Sequence, residues 1–285
     1  MKLVYGVHIM WYEIEMIEEH FESLLQATKY TNLPVEIIVC ANLQTYIEEP
    51  TDNKVFDEFL TRLNTALKPF TSFHIYTKTS DQPFYNIGDF RRELKNEDGY
   101  VVWGEIDCLI PGHYFGMLEV MGETEEFNHP HIVSLASRKM WDISWTVVEH
   151  SDLQSRSLST LNAPFKHDDY ITQKELDDFN DKFSPTSAQL PAIKIDGALL
   201  ALRNGLPQLI PNNMHFARED YIAQCALSKL GYPQYHLINV LKGHNYAHPN
   251  KRTRTKSSRT DDIYKKYEFE SFQAGKLFIH EMEVI

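Results

Sequence analysis

The sequence predicts an α/β fold: a Rossmann-like, mixed but mostly parallel central sheet flanked by helices. Short apolar runs alternate with amphipathic helical segments from residue 3 to about 110, and that alternation builds parallel sheets with helices on both faces. The fourth apolar run leads directly into paired acids, where such sheets hold ligands, beyond the carboxyl ends of their strands. A chain of 285 residues, 42% hydrophobic with 15 Tyr and 16 Phe, can bury the core of one large domain and is not a disordered polymer.

Taken in order, Leu3 to Met10 reads as a buried strand, and Glu13 to Ala27 as a helix with Ile14, Ile17, Phe21, Leu24 and Leu25 on one face. Val35 to Cys40 is the second strand. Val55 to Leu67 is a helix with Phe56, Phe59, Leu60, Leu63 and Leu67 aligned. Phe73 to Thr77 is the third strand, and Tyr100 to Trp103 the fourth, running into Glu105 and Asp107. A helix follows Pro111 to about Met121, a polar loop spans 122–130, and His131 to Ala136 and Asp142 to Val148 read as strands. Residues 150–190 are polar and irregular apart from a short exposed helix over Glu175 to Asp181. Ile193 to Leu202 is apolar, Asp220 to Leu230 is helical, His236 to Leu241 is a strand, 243–262 is a mobile loop, and a last helix or strand pair begins at Ile263.

The formal charge of −12 excludes a global electrostatic lure for nucleic acid. Locally the sign reverses in Lys251-Arg252-Thr253-Arg254-Thr255-Lys256 with Arg259. Cys40, Cys108 and Cys225 have neither metal nor redox spacing, and an odd, sparse set suits a reducing compartment. Acids at Glu13, Glu15, Glu18 and Glu19 interrupt any signal-peptide pattern, and no stretch reaches the roughly 18 apolar residues of a membrane helix. A soluble cytoplasmic protein without membrane insertion is expected.

The sharpest chemical feature is Glu105-Ile106-Asp107 at a strand end. On an extended backbone, residues two apart face the same side, so both carboxylates reach one divalent cation. Such oxygen donors suit Mn²⁺ or Mg²⁺, which keep positions for phosphate oxygens. By themselves two such acids also describe a solvated strand end.

The order and spacing of several segments resemble family 2 glycosyltransferases and their relatives with the A-type nucleotide-sugar fold. Trp11-Tyr12-Glu13-Ile14-Glu15 through Glu22-Ser23-Leu24-Leu25 is similar to that family's opening segment and helix. Glu36 to Val39 is similar to its second strand, Asn86-Ile87-Gly88 with Arg91-Arg92 to its Asn-x-Gly…Ala-Arg-Asn segment, and Gly99-Tyr100 to Pro111 to its strand ending in Asp-x-Asp and a proline. The likeness covers roughly 100 residues. Two departures stand out: the family's Asp-Asp-Gly-Ser turn is here Ala41-Asn42-Leu43-Gln44, and the first acid of its metal motif is Glu105.

The resemblance implies a transferase that moves a hexose or pentose, with inversion, from a nucleoside diphosphate donor, UDP-sugar first, to a hydroxyl acceptor. It implies Asp107 and Glu105 as metal ligands, completed by His244 or His248, and Asn42, through its amide, on the nucleoside. His8, Asn86, Arg91, Arg92, Lys251, Arg252 and Arg254 are the further expected donor contacts, the last three on a basic loop over the diphosphate. Glu219-Asp220, ahead of a helix, is similar to the family's Glu-Asp pair, with Asp220 as general base. Acids also suit a helix's first turn, where its dipole favours them. Residues 1–245 are expected as one domain, 1–111 binding the nucleotide sugar and 112–245 the acceptor, with 246–285 a basic loop and appendage. The acceptor is a saccharide or small molecule, and the basic segment also admits a hydroxylated DNA base. Competing readings are a non-catalytic sugar-nucleotide or glycan binder, and a nucleotidyltransferase, which the lack of Gly, Lys and Arg in residues 8–16 disfavours.

Overall fold

A computed structural model describes residues 1–46, 50, 52, 54–139, 172–182, 187–190, 197–203, 209–216, 218–244 and 262–282. The elements are β1 (Lys2–Met10), α1 (Ile17–Thr28), β2 (Val35–Asn42), α2 (Lys54–Leu67), β3 (Phe73–Lys78), α3 (Ile87–Glu93), β4 (Gly99–Glu105), β5 (Cys108–Leu109), α4 (Tyr114–Glu123), β6 (Ile132–Lys139), α5 (Gln173–Asn180), β7 (Ser187–Leu190), β8 (Leu200–Arg203), α6 (Glu219–Lys229), β9 (Gln234–His244) and α7 (Asp262–Glu281).

The strands form one mixed sheet in the order β3-β2-β1-β4-β8-β6-β9-β5, with β7 also on β9. The first four strands are mutually parallel. Strand β8 runs antiparallel between β4 and β6, and β6 and β9 are parallel. One edge of β9 is divided, its start pairing with β7 and its end with β5.

Strand β1 is buried from Leu3 to Met10 because both of its faces are covered. Leu3, Tyr5, Val7 and Ile9 join the core formed with Ile17, Phe21 and Leu24 of α1, Phe59 and Leu63 of α2, and Phe115 of α4. Val4 joins the opposite layer, with Val101 and Trp103 of β4, Phe90 of α3, and Ile222 and Leu227 of α6. Side-chain alternation along a strand produces this division.

Several boundaries differ from the sequence expectation. The first helix opens as a 3₁₀ segment, Trp11–Met16, where Glu13 Oε2 accepts from the Met10 N–H at 2.9 Å and Trp11 Nε1 donates to Gln44 O. The short strands β5 and β7 were not expected. Strand β4 ends at Glu105, and Ile106 and Asp107 form a turn, so the same-side argument for two acids on a continuing strand does not apply. The helix expected to be exposed, α5, is docked: Leu176 is buried, and Asn180 exchanges hydrogen bonds with the backbone of Leu241. Helix α7, expected in an appendage, packs on the second layer through Phe278 and Ile279, and Ser271 Oγ accepts from the His215 N–H. The strand expected over Asp142 to Val148 lies outside the described residues. Among the described residues no helix is long and apolar enough to cross a membrane.

Candidate active site

The parallel register sets the carboxyl ends of the first strands side by side. His8 on β1 is the register partner of Glu105 on β4, and Met10 is that of Asn42 on β2. Helix α3 enters this end with Asn86 as its N-cap: Asn86 Oδ1 accepts from the Ile87 N–H at 2.7 Å, and Asp89 Oδ2 accepts from the Asn86 N–H. This capping box sets the helix so that Arg91 points inward.

Arg91 is the hub. It is 3% exposed, with Nη2 2.8 Å from Glu105 Oε1 and Nη1 2.6 Å from Glu219 Oε1. Nη2 also donates to Gly197 O at 3.3 Å, and the guanidinium lies 5.0 Å from the Trp103 ring centroid. Charge-assisted bonds of this kind are the stronger class of hydrogen bond. Three segments remote in sequence are thereby joined at the end of β4.

Helix α6 starts with Glu219 and Asp220. Glu219 is buried, and its carboxyl is pushed up to about 7. Burial is the main cause; Arg91 opposes it, while the neighbouring charges of Asp220 and Glu105 add to it. Asp220 Oδ1 accepts from the Tyr221 N–H at 2.8 Å, and the rest of its carboxylate rests on Gly197. A Cβ at Gly197 would fall 2.7 Å from Asp220 Oδ2 and 2.8 Å from its Cβ. Glycine is what allows this carboxylate to lie on the backbone that leads into β8.

Other expected donor contacts have internal partners. Asn42 is fully buried; its amide nitrogen donates to His8 Nε2 and Tyr85 O, and its oxygen accepts from the Gln44 N–H. Both of its amide hydrogens are thus engaged within the chain. His8 is buried beside the Tyr85 and Phe90 rings. Besides capping α3, Asn86 donates to the Tyr46 hydroxyl at 2.7 Å. Arg92 holds the carbonyls of Pro211 and Met214 and pairs with Asp89.

Asp107 is 3% exposed. The His244 backbone is the register partner of Cys108, which brings β9 to within one residue of Asp107 along β5. His248, Lys251, Arg252 and Arg254 lie outside the described residues. Among the described residues no group of three or more His, Cys, Asp and Glu is arranged to hold a metal. The acids at the end of β4 do supply the hard oxygen donors that Mn²⁺ or Mg²⁺ takes, in the small number these ions use when phosphate and water complete the shell.

Sequence reasoning missed Trp103 and Lys242. Lys242 is fully buried and donates to Ala198 O, fixing the same loop that Arg91 holds at Gly197. Its signal was a lysine inside an apolar strand. A cavity of about 540 Å³ lies behind Arg91 and Trp103, floored by Val101, Leu202 and Leu209. None of Glu105, Asp107, Glu219 and Asp220 lines it.

The architecture agrees with the expected α/β class, a mixed central sheet flanked by helices with its first four strands parallel. Among solved structures the chain is similar to S. aureus TarS residues 1–349, at 10% identity over 98% of this chain and 72% of that one, with a TM-score of 0.42. The same fragment in complex with UDP-GlcNAc gives a TM-score of 0.43 at 10% identity, over 98% and 73% of the two chains. GalNAc-T7 with UDP, GalNAc and Mn²⁺ gives 0.46 at 10% identity, over 99% of this chain and 56% of that one. These likenesses carry no assignment of residues. No protein-family model and no curated protein matches the sequence.

Proposed function

We propose that the protein is a metal-dependent glycosyltransferase that moves a sugar from a nucleoside diphosphate to a hydroxyl acceptor with inversion. The observation that carries the reading is the convergence on Arg91 of Glu105, beside the metal-binding turn, and Glu219, beside the general base. In this reading the group that receives the leaving diphosphate and the group that deprotonates the acceptor must face one anomeric carbon, and Arg91 draws the segments that carry them together.

In this reading Asp107 is the principal ligand of the divalent ion, and Glu105 and His244 are its further proposed ligands. The ion, when bound, neutralises charge on the diphosphate. Arg91 competes for Glu105, so Glu105 orients the site as much as it ligates. Asp220 accepts the acceptor hydroxyl's proton as the new bond forms. Arg91 takes up one oxygen of Glu219, which keeps that acid from replacing Asp220 as the base. The basic segment with Lys251, Arg252 and Arg254 supplies positive charge for the leaving group. The donor proposed is a UDP-sugar, and the acceptor class a saccharide or small molecule.

The test is titration of UDP into wild type and Asp107→Ala with and without Mn²⁺, with melting temperatures as a fold control. Wild type is expected to bind at least about tenfold more tightly with Mn²⁺, and the variant to lose that gain, since a contact to a charged group is worth roughly 1.5–3 kcal/mol. Equal Mn²⁺ enhancement in a folded variant would refute the metal assignment.

A further inference from the structure

The turn that carries Asp107 is gripped at both ends by residues the proposed mechanism does not use. On the entry side, Gly104 lies against Tyr5: a Cβ on Gly104 would fall 2.3 Å from the Tyr5 hydroxyl oxygen. That hydroxyl is 3.0 Å from His20 Nε2, and His20 Nδ1 is 2.9 Å from Cys108 O. A carbonyl only accepts, so Nδ1 carries the proton, and Nε2 of the neutral ring accepts from Tyr5. On the exit side, Ser23 Oγ accepts from the Ile110 N–H at 2.6 Å and donates to Ile110 O at 3.3 Å.

His20 and Ser23 are three apart on α1, and so share one face of it. They hold the 108–110 backbone on one side, while β9 pairs with Cys108 and Leu109 on the other. Both are 1% exposed. Burial, and after it the nearby Cys108 and Glu105, keeps the Tyr5 phenol well above its ordinary range, so Tyr5 stays a donor. A two-residue strand would otherwise be a weak mooring for a metal ligand.

We infer that Tyr5, His20 and Ser23 are positioning residues that fix the turn from Glu105 to Asp107 at both ends, so that divalent-ion-dependent diphosphate binding depends on His20. The inference rests on the proposed metal role of Asp107. Partners one shell out from a ligand typically change metal affinity 10–100-fold when removed.

The experiment compares wild type, Tyr5→Phe/His20→Leu, Tyr5→Phe/His20→Asn and Ser23→Ala. Removing the phenol in both double variants avoids stranding a buried hydroxyl, and asparagine restores a donor near the Nδ1 position. Melting temperature, UDP affinity with and without Mn²⁺, and amide exchange over 106–110 are measured. The leucine double variant is expected to lose about 10–100-fold of the Mn²⁺-dependent UDP affinity and to exchange faster at Ile110. The asparagine variant should recover most of both. Ser23→Ala, the mildest change, should shift both in the same direction and covers the case in which the leucine variant fails to fold. Melting temperatures that fall while Mn²⁺-dependent affinity stays at the wild-type value would overturn the inference, leaving only a packing role. Wild type that binds UDP equally with and without Mn²⁺ would instead remove the metal reading, and the inference with it, a failure visible in the wild-type arm alone.

Discussion

Arg91 Nη1 lies 2.6 Å from Glu219 Oε1, across 128 positions of sequence. The same guanidinium binds Glu105, so one buried cation serves two acids, with Asp220 adjoining them. Such a cation stabilises less by attraction than it costs to remove, because its loss strands the buried Glu219 carboxyl and leaves the half-buried Glu105 without its partner.

Arg91→Leu is therefore expected to cost about 3–5 kcal/mol, the range for breaking a buried pair from one side. Arg91→Leu/Glu219→Gln should recover part of that loss, since the second change removes one stranded charge. Urea denaturation of the three proteins measures both effects. Equal stability of wild type and Arg91→Leu would show that the pair is solvated.

Glu219 should make stability depend on pH near neutrality. Its folded-state carboxyl sits at about 7, above the unfolded value of about 4.3. Its contribution is thus fully present below about pH 4.3 and is lost as pH rises through 7. At full effect the slope is about 1.4 kcal/mol per pH unit. Denaturation midpoints between pH 5 and 7.5 should fall less steeply in Glu219→Gln than in wild type.

His131 has the opposite sign. Burial pushes it down to about 4, with Nε2 3.0 Å from the Tyr100 hydroxyl and Nδ1 2.7 Å from His129 O. Its contribution is present above the unfolded value of about 6.5 and is lost as pH falls toward 4. Replacing it by Gln should flatten the loss of stability between pH 6.5 and 4.5. An unchanged acid limb would assign that loss to other groups.

Two changes separate helix capping from base catalysis at Asp220. Asp220→Asn keeps an oxygen for the first turn but removes the basic site; it should melt near wild type and lose roughly 10²–10⁴-fold in turnover. Gly197→Ala brings a methyl group into the Asp220 carboxylate. It should lower turnover by displacing the base, at a stability cost of about 1–3 kcal/mol for overpacking. Full activity in both variants would exclude Asp220 as the base.

The alternation of strands and helices through residue 105 was legible because apolar period is a local signal, strong in β1, where every residue from Leu3 to Met10 is buried. The acids were legible as residue types at a strand end. Their surroundings were not. Arg91 reads in sequence as a ligand-facing base, and only tertiary packing turns it toward two carboxylates. The partners of Asn42 were not legible either: its amide is bonded to His8, Tyr85 and Gln44, three positions that no local pattern links. The two-residue β5 has no period to detect, and it is recognisable only through the distant strand that pairs with it.

The hydrogen bonds joining β5 to β9 and the ion pair joining Arg91 to Glu219 have a kinetic meaning. Four parallel strands, β1 to β4, lie within the first 105 residues and can associate before the later half of the chain is in place. The acid cluster cannot, because its partners close long loops, 128 positions between Arg91 and Glu219, and long-range closure is the slow part of folding. In refolding from denaturant, recovery of ligand affinity should lag the return of helical circular dichroism. The gap between the two would time the docking of α6 and β9 against a preformed sheet.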